Sequence, residues 1–284
     1  MIVKAFSKVN LALKINEKDE NGYHKLESVM VPLKLHDVIE IEPITNGWRD
    51  DAVISDDFDL ANTKINSVQK TLALLRERFH YETRFNVEIH KEIFLQSGLG
   101  GGSSDAAAVM RAVIKFLKLE ISDEELVKLA LKIGSDVPFF LFNKPAIVKS
   151  YGEEIETFDF KSNKFSVLLV KPKEGLSTKT VFEEFDKNRV ESTVNMEDVK
   201  ELLIKNDLDG LQETCKNALE PAAFKLLPEI ESIVRLLKLK GFEYVHMTGS
   251  GSCVFAITRN KKLARKCEKA FEDFGYIVER TTFL

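Results

Sequence analysis

Residues 94–109 read FLQSGLGGGSSDAAAV, and four of the nine residues from Gln96 to Ser104 are glycine. Glycine gives up more backbone freedom on folding than any other residue, so a cluster beside regular structure needs a reason. A linker, a tight turn, or a backbone that must approach a ligand closely would each supply one. The run RFNVEIH at 84–90 alternates as a strand does, and it leads into the glycines. After them, SSDAAAVMRAVIKFLKL places Val109, Val113, Phe116 and Leu117 on one helical stripe. A strand that feeds a glycine turn at a helix start argues against a linker. Such a turn exposes several backbone N–H groups, and the helix dipole adds about half a positive charge there. The hydroxyls of Ser103 and Ser104 can add contacts to a phosphate oxygen or to magnesium, and Ser103 can equally cap the helix.

Known phosphate-binding devices fit this stretch incompletely. A P-loop needs GxxxxGK[ST], and the stretch holds no lysine. Gly98 and Gly100 begin a dinucleotide-binding pattern, but its third glycine is Ser103, and the acidic residue some way on, Asp123, sits in a capping pattern, Ser122-Asp123-Glu124-Glu125. Asp273-Phe274-Gly275 forms a DFG triplet, yet no histidine is followed by Arg-Asp, so it reads as a chance match at a helix end.

Outward from the loop, strands and helices alternate. Val9, Leu11, Leu13 and Ile15 recur at period two, as in a half-buried strand. Asn21-Gly22 signals a turn, and strand-like runs follow at 27–33 and 38–42. Val68, Leu72, Leu75 and Phe79 share a helical face, and the helix opening at Ser122 stops at Gly134, read as its C′ residue. The second half starts near Pro145. Strands are expected at 146–149, at 165–172 and in a pair within 244–258, with helices at 178–186, 196–205, 207–218, 228–239 and 261–273. The pattern predicts an α+β protein of two lobes, 1–147 and 148–284, sharing a cleft.

The 284 residues suffice to bury a core without disulfides, and 44% hydrophobic with 30% charged residues is ordinary for a globular protein. A formal charge of −4 gives no sign of nucleic-acid binding. The first residues lack an uninterrupted apolar region, so a signal peptide is not expected, and no apolar run nears the roughly 18 residues of a membrane span. Cys215, Cys253 and Cys267 show no metal or disulfide spacing, which suits a reducing cytoplasm.

SKVNLAL near the start, SGLGGGSSDAAA, GSDVPFF and MTGSGSCVFA, in that order, resemble the GHMP kinases, small-molecule kinases named for galactose, homoserine, mevalonate and phosphomevalonate. The match covers most of the chain. It implies a two-lobed fold with an N-terminal lobe like ribosomal protein S5 domain 2, a catalytic, ATP-binding first lobe, and a second lobe on the substrate side. GYH at 22–24 and LHD at 35–37 resemble the branch acting on a cytidine diphosphate-linked sugar alcohol, methylerythritol, of the non-mevalonate isoprenoid route. That branch implies transfer of the ATP γ-phosphoryl group to the 2-hydroxyl, with magnesium, by a monomer or weak homodimer without nucleic-acid or membrane partners.

The resemblance carries roles onto matching positions. Lys8 and Asp136 match the catalytic lysine and aspartate. Phosphoryl transfer needs positioning, charge neutralisation and an acceptor for the hydroxyl proton, which such a pair can supply. Leu95, Gln96, Ser97, Gly98, Leu99, Gly100, Gly101, Gly102, Ser103, Ser104 and Asp105 match the ATP-binding loop, with Ser104 the candidate metal ligand. Asn66 and Val68 match a segment on the adenine side, although they could simply begin and pack a helix. Asn10 matches a group near the acceptor. Tyr23 and His24 match a cytidine-recognition motif, the tyrosine ring stacking on the base and the imidazole bonding its edge. Thr248, Gly249, Ser250 and Gly251 match a turn that closes over the substrate, where GSG between strands is otherwise a plain hairpin turn.

Five positions depart from the family pattern: Asn21 for aspartate, Phe6-Ser7 for Pro-Ala, Phe94 for proline and Ser67 for leucine. They leave two alternatives open, a kinase of another small alcohol such as mevalonate or homoserine, and a nucleotide-binding homologue without catalysis.

Overall fold

Two long antiparallel strands, β1 (Ile2–Lys18) and β2 (His24–Pro43), set the frame of the molecule. The computed structural model describes residues 1–20, 22–45, 50–56, 66–161, 165–189 and 192–284. Asn21, half of the expected turn, lies outside them. One edge of β2 pairs with β1 along its length. The other is shared by β4 (Phe85–His90), which pairs with 38–43, and β5 (Ala146–Ser150), which pairs with 26–30. β3 (Ala52–Ser55) runs parallel to β4, and β6 (Glu154–Thr157) pairs with β5, completing six strands. The two runs expected at 27–33 and 38–42 are therefore one strand. The polar residues between them lie where C-terminal residues pair instead: Lys34 N–H donates to Thr282 O at 2.9 Å and Leu284 N–H to Pro32 O at 3.0 Å.

A second, wholly antiparallel sheet has the order β10 (Ile277–Thr281), β7 (Ser166–Lys171), β9 (Val254–Thr258), β8 (Tyr244–Met247). Side-chain parity then fixes the layers. Met30, Ile39 and Val87 face α1 (Ser67–Phe79), α2 (Gly101–Leu117), α3 (Asp123–Leu131) and α4 (Val137–Phe142). Val29 and Val31 face the other way, onto Val167, Leu169 and Phe255 of the second sheet, with α6 (Met196–Ile204) and α7 (Leu208–Thr214) in the same cluster. Leu168, Val170, Val254 and Ala256 have the opposite parity. They pack on α5 (Thr178–Lys187), α8 (Glu220–Leu226), α9 (Pro228–Leu239) and α10 (Lys261–Asp273). The molecule is α+β, as expected, with layers in the order helix, sheet, sheet, helix and a hydrophobic layer common to both sheets.

Several expectations need correction. β1 is buried from Ser7 to Leu13 rather than on one face, because the second sheet covers the side left open in a half-buried strand. A boundary at 147 would cut β5, which belongs to the first sheet; the chain changes sheets between Thr157 and Ser166. Gly134 is not the C′ glycine of α3, which ends at Leu131 with Lys132 right-handed. Its capping box is half formed. Ser122 accepts from Glu125 N–H, but the Glu125 carboxylate turns to Arg78 at 2.5 Å. The helix expected at 207–218 stops at Thr214, where Cys215 becomes extended and the chain bridges to β1 at Leu13 and Asn217. The short β3, β6 and β10 and helices α4 and α8 were not foreseen. The DFG triplet does end a helix: α10 stops at Asp273, and Gly275 takes φ +87.

Candidate active site

β1 is irregular at the point where it carries the first candidate side chains. Its register against β2 slips between Phe6 and Lys8 and again between Asn10 and Ala12, and such bulges re-aim side chains near sites. Lys8 and Asn10 are both buried, and Lys8 Nζ donates to Asn10 Oδ1 at 2.6 Å. The same ammonium stands 3.4 Å from Asp136 Oδ2. Asp136 is the N-cap residue of α4, yet its carboxylate makes no capping bond and remains about a third exposed, free to face the cleft. Asn10 is fixed in turn by Ser28, whose Oγ accepts from Asn10 Nδ2 at 2.8 Å and donates to Ala12 O.

The glycine stretch forms the wall beside this pair. Gly100, in the left-handed region at φ +78, is the N-cap of α2, and no side chain caps that helix. Ser103 lies inside the first turn and does not serve as the cap. The leading N–H groups of α2 are thus left for a ligand in the cleft that Gly100, Gly101, Gly102 and Ser103 line. Close packing explains two of the glycines. A Cβ at Gly98, where φ is +76, would overlap the Thr248 carbonyl, and one at Gly100 would come within 2.6 Å of the Phe140 ring. The loop is also zipped to the chain that follows the 248–251 turn, Cys253 N–H donating to Ser97 O and Ser252 N–H to Gln96 O, while Thr248 Oγ1 accepts from Asn10 N–H of β1 at 3.0 Å. A cleft of about 1060 Å³ runs from Lys8, Asp136 and the glycines to Tyr23, His24 and α5. That volume exceeds the usual size of a single small-ligand pocket and leaves room for two substrates end to end.

Most of the expected site residues line this cleft: Lys8, Asn10, Tyr23, His24, Leu95, Gln96, Ser97, Gly98, Gly100, Gly101, Gly102, Ser103, Asp136, Gly249, Ser250 and Gly251. Thr248 stands behind the turn and braces it. Five expectations are corrected by burial or bonding. Leu99 and Val68 are core residues. Ser104, the expected metal ligand, is buried and donates to Phe6 O at 2.6 Å, so its hydroxyl is held on the protein side of the helix. Asp105 is buried beside Lys91, at 2.8 Å, and Lys91 also meets Asp37 at 2.5 Å. Asp37, from the LHD motif, further accepts the Glu92 and Ile93 N–H groups, so this buried triad ties the strand before the loop to β2 and α2. Burial, aided by Asp37 and opposed by Lys91, pushes the Asp105 carboxyl up to about 7. The fifth is the His24 imidazole, whose nitrogens are already engaged: Nδ1 with Asn16 O and Nε2 with Asp186 Oδ1, both at 2.8 Å. Asn66 forms a complete capping box with Gln69 at the start of α1, and its neighbour Ser67 is the residue of that segment lining the cleft.

Other site residues escaped the sequence. Buried Asn217 donates to Met247 O at 2.9 Å and to Gly249 O at 2.8 Å, holding the turn from behind. Arg111 donates to the carbonyls of Phe140 and Leu141 at the far end of the helix that Asp136 caps. Phe182 and Asp186 of α5 line the cleft opposite the β1–β2 hairpin. Burial raises the Asp186 carboxyl, but hydrogen bonds from Lys18 and His24 outweigh it and leave it below the usual range. None of these carries a motif; each is a lone polar or apolar residue until the fold assembles it. Among the described residues, no three His, Cys, Asp or Glu side chains gather as a metal centre, and no helix is long and apolar enough to cross a membrane.

A lysine–aspartate pair beside an uncapped, glycine-led helix start in one cleft is an arrangement suited to binding phosphate and accepting a hydroxyl proton, as a small-molecule kinase requires. The chain belongs to the GHMP kinase family: the model of the GHMP kinases N terminal domain matches residues 66–144 and that of the GHMP kinases C terminal matches residues 199–277. Among its relatives, the putative 4-diphosphocytidyl-2-C-methyl-D-erythritol kinase of Streptococcus mutans serotype c is 35% identical over 275 residues, covering 96% of each chain. The 4-diphosphocytidyl-2-C-methyl-D-erythritol kinase of Caldicellulosiruptor saccharolyticus is 31% identical over 276 residues, 96% of this chain and 93% of that one. A crystal structure of 4-(cytidine 5'-diphospho)-2C-methyl-D-erythritol kinase superposes with a TM-score of 0.82 at 26% identity, covering 100% of this chain and 99% of the other.

Proposed function

We propose that this chain transfers the γ-phosphoryl group of ATP to the 2-hydroxyl of 4-diphosphocytidyl-2-C-methyl-D-erythritol, the step its near-full-length relatives are named for. The observation that carries the reading is the single continuous cleft, with the Lys8–Asp136 pair and free helix N–H groups at one end and Tyr23, His24 and Phe182 at the other. The N–H groups of Gly101 to Ser103 and the Ser103 hydroxyl are placed to receive phosphate oxygens of the nucleotide, and magnesium bound to those phosphates would supply further neutralisation of their charge. Asp136 takes up or orients the acceptor hydroxyl proton, and Lys8 offsets the negative charge that builds on the transferring group. At the far end, the exposed ring of Tyr23 and the ring of Phe182 offer flat faces to a base. The three buried free thiols suit a reducing cytoplasm.

Coupled ADP release, measured with the cytidylated acceptor, mevalonate and homoserine in parallel, tests the assignment. Turnover confined to the cytidylated compound is expected. Turnover of another alcohol alone would move the chain to a different acceptor, and ATP binding without turnover of any would leave a nucleotide-binding protein.

A further inference from the structure

Helix α5 is pinned at both ends across the acceptor half of the cleft. At its start, Thr178 Oγ1 lies 2.9 Å from Ser250 Oγ in the turn that closes over the site. Near its end, the two Asp186 carboxylate oxygens divide their partners: Oδ2 meets Lys18 Nζ at 2.5 Å, and Oδ1 meets His24 Nε2 at 2.8 Å. Lys18 and His24 face each other as a register pair at the mouth of the β1–β2 hairpin. The imidazole is almost wholly buried; its other nitrogen is bound to Asn16 O, and its ring packs at 5.6 Å from Phe182 and 5.8 Å from Phe185. His24 is therefore held in position by protein groups on several sides, and of the α5 residues packed on it Asp186 is the one that bonds to its ring.

We propose that Asp186 is a positioning residue for the acceptor substrate, acting through His24 to fix the hairpin wall, which carries Tyr23, against the α5 wall, which carries Phe182. The inference rests on the reading that this end of the cleft takes the acceptor. Charge-assisted bonds of this kind are stronger than neutral ones and directional, so one carboxylate shared between two hairpin residues sets the spacing of the walls. Asp136 and the glycine loop lie at the other end of the cleft and form no bond to this group, so the nucleotide site is expected to be indifferent to it.

A double-mutant cycle on the full-length enzyme tests the proposal, with Asp186→Ala, His24→Ala and the pair together. The acceptor varied is whichever alcohol the wild-type enzyme turns over fastest, so a wrong substrate assignment shows in that choice while the cycle still decides the role of Asp186. Asp186→Ala removes the bonds to both Lys18 and His24 and is expected to raise the acceptor KM by about tenfold while the ATP KM stays within about twofold. In the His24→Ala background the same substitution is expected to change the acceptor KM by less than about threefold, because the link through His24 is already lost and only the Lys18 bond remains to be removed. Asp186→Asn, which keeps one oxygen and the side-chain shape, should recover part of the loss. An unchanged acceptor KM overturns the proposal. So does an equal rise in both KM values, or a full tenfold effect that persists without His24.

Discussion

Asp136 caps α4 without bonding to it, which leaves its carboxylate beside Lys8 for the proton-accepting role proposed above. Asp136→Asn is expected to lower kcat by roughly 10²–10⁴, the usual worth of a positioned proton acceptor, with ATP binding by calorimetry nearly unchanged. A kcat within a few-fold of wild type would remove Asp136 from the chemistry. Asp105 illustrates a charge that costs stability. Its folded-state pKa of about 7 lies above its usual 3.8, so between those values the folded chain holds a proton that the unfolded chain has lost. The contribution of Asp105 to stability therefore falls as pH rises from about 4 to about 7. Asp105→Asn leaves a one-to-one pair of Lys91 and Asp37, and it is expected to be more stable than wild type at pH 8 and close to it at pH 5. Denaturant midpoints at the two pH values check this, and a difference independent of pH contradicts it. Lys91→Met does the reverse. It leaves two buried carboxylates facing each other and should cost about 3–5 kcal/mol at pH 8, read from the same curves.

Among elements, the two glycine turns work as one piece. Gly98→Ala places a methyl group against the Thr248 carbonyl in a backbone conformation that favours glycine, so it should lower both stability and turnover; a fully active, equally stable variant would refute the close packing of the two turns. Asn66→Ala removes the side-chain cap of α1 and should cost about 1 kcal/mol by thermal or denaturant unfolding. The glycine stretch was legible in the sequence because the lack of a side chain is itself the signal, and α1 and α2 because their apolar residues recur at helical spacing. Lys8 and Asp136 were legible only through the family resemblance, since nothing local marks one lysine in a strand and one aspartate before a proline. Asn217, Arg111, Phe182 and Asp186 were not legible, because each gains its role from a partner brought in by tertiary pairing. The errors at Ser104 and Asp105 have a related cause. A motif says which residues stand together but not which side of the helix each one faces, and here the helix turns these two inward.

At the scale of the whole molecule, both sheets bury side chains in one shared layer, and the C-terminal residues return to β2. Alternation of strands and helices predicted two lobes, but periodicity cannot show that two apolar faces are packed against each other. The two halves are expected to unfold together, giving coincident transitions by circular dichroism and fluorescence and a calorimetric enthalpy equal to the van't Hoff value. Two separated transitions would show that the layer does not couple them. The layer also fixes the cleft, because the glycine loop hangs from the first sheet and the 248–251 turn from the second. The most direct test of the account is phosphorus NMR of the reaction of the wild-type enzyme with magnesium ATP and 4-diphosphocytidyl-2-C-methyl-D-erythritol. The account predicts a new phosphomonoester resonance on the acceptor with its diphosphate intact, formed in step with ADP and lost in Asp136→Asn. ADP appearing only with inorganic phosphate, or no phosphoester on this acceptor, would contradict it.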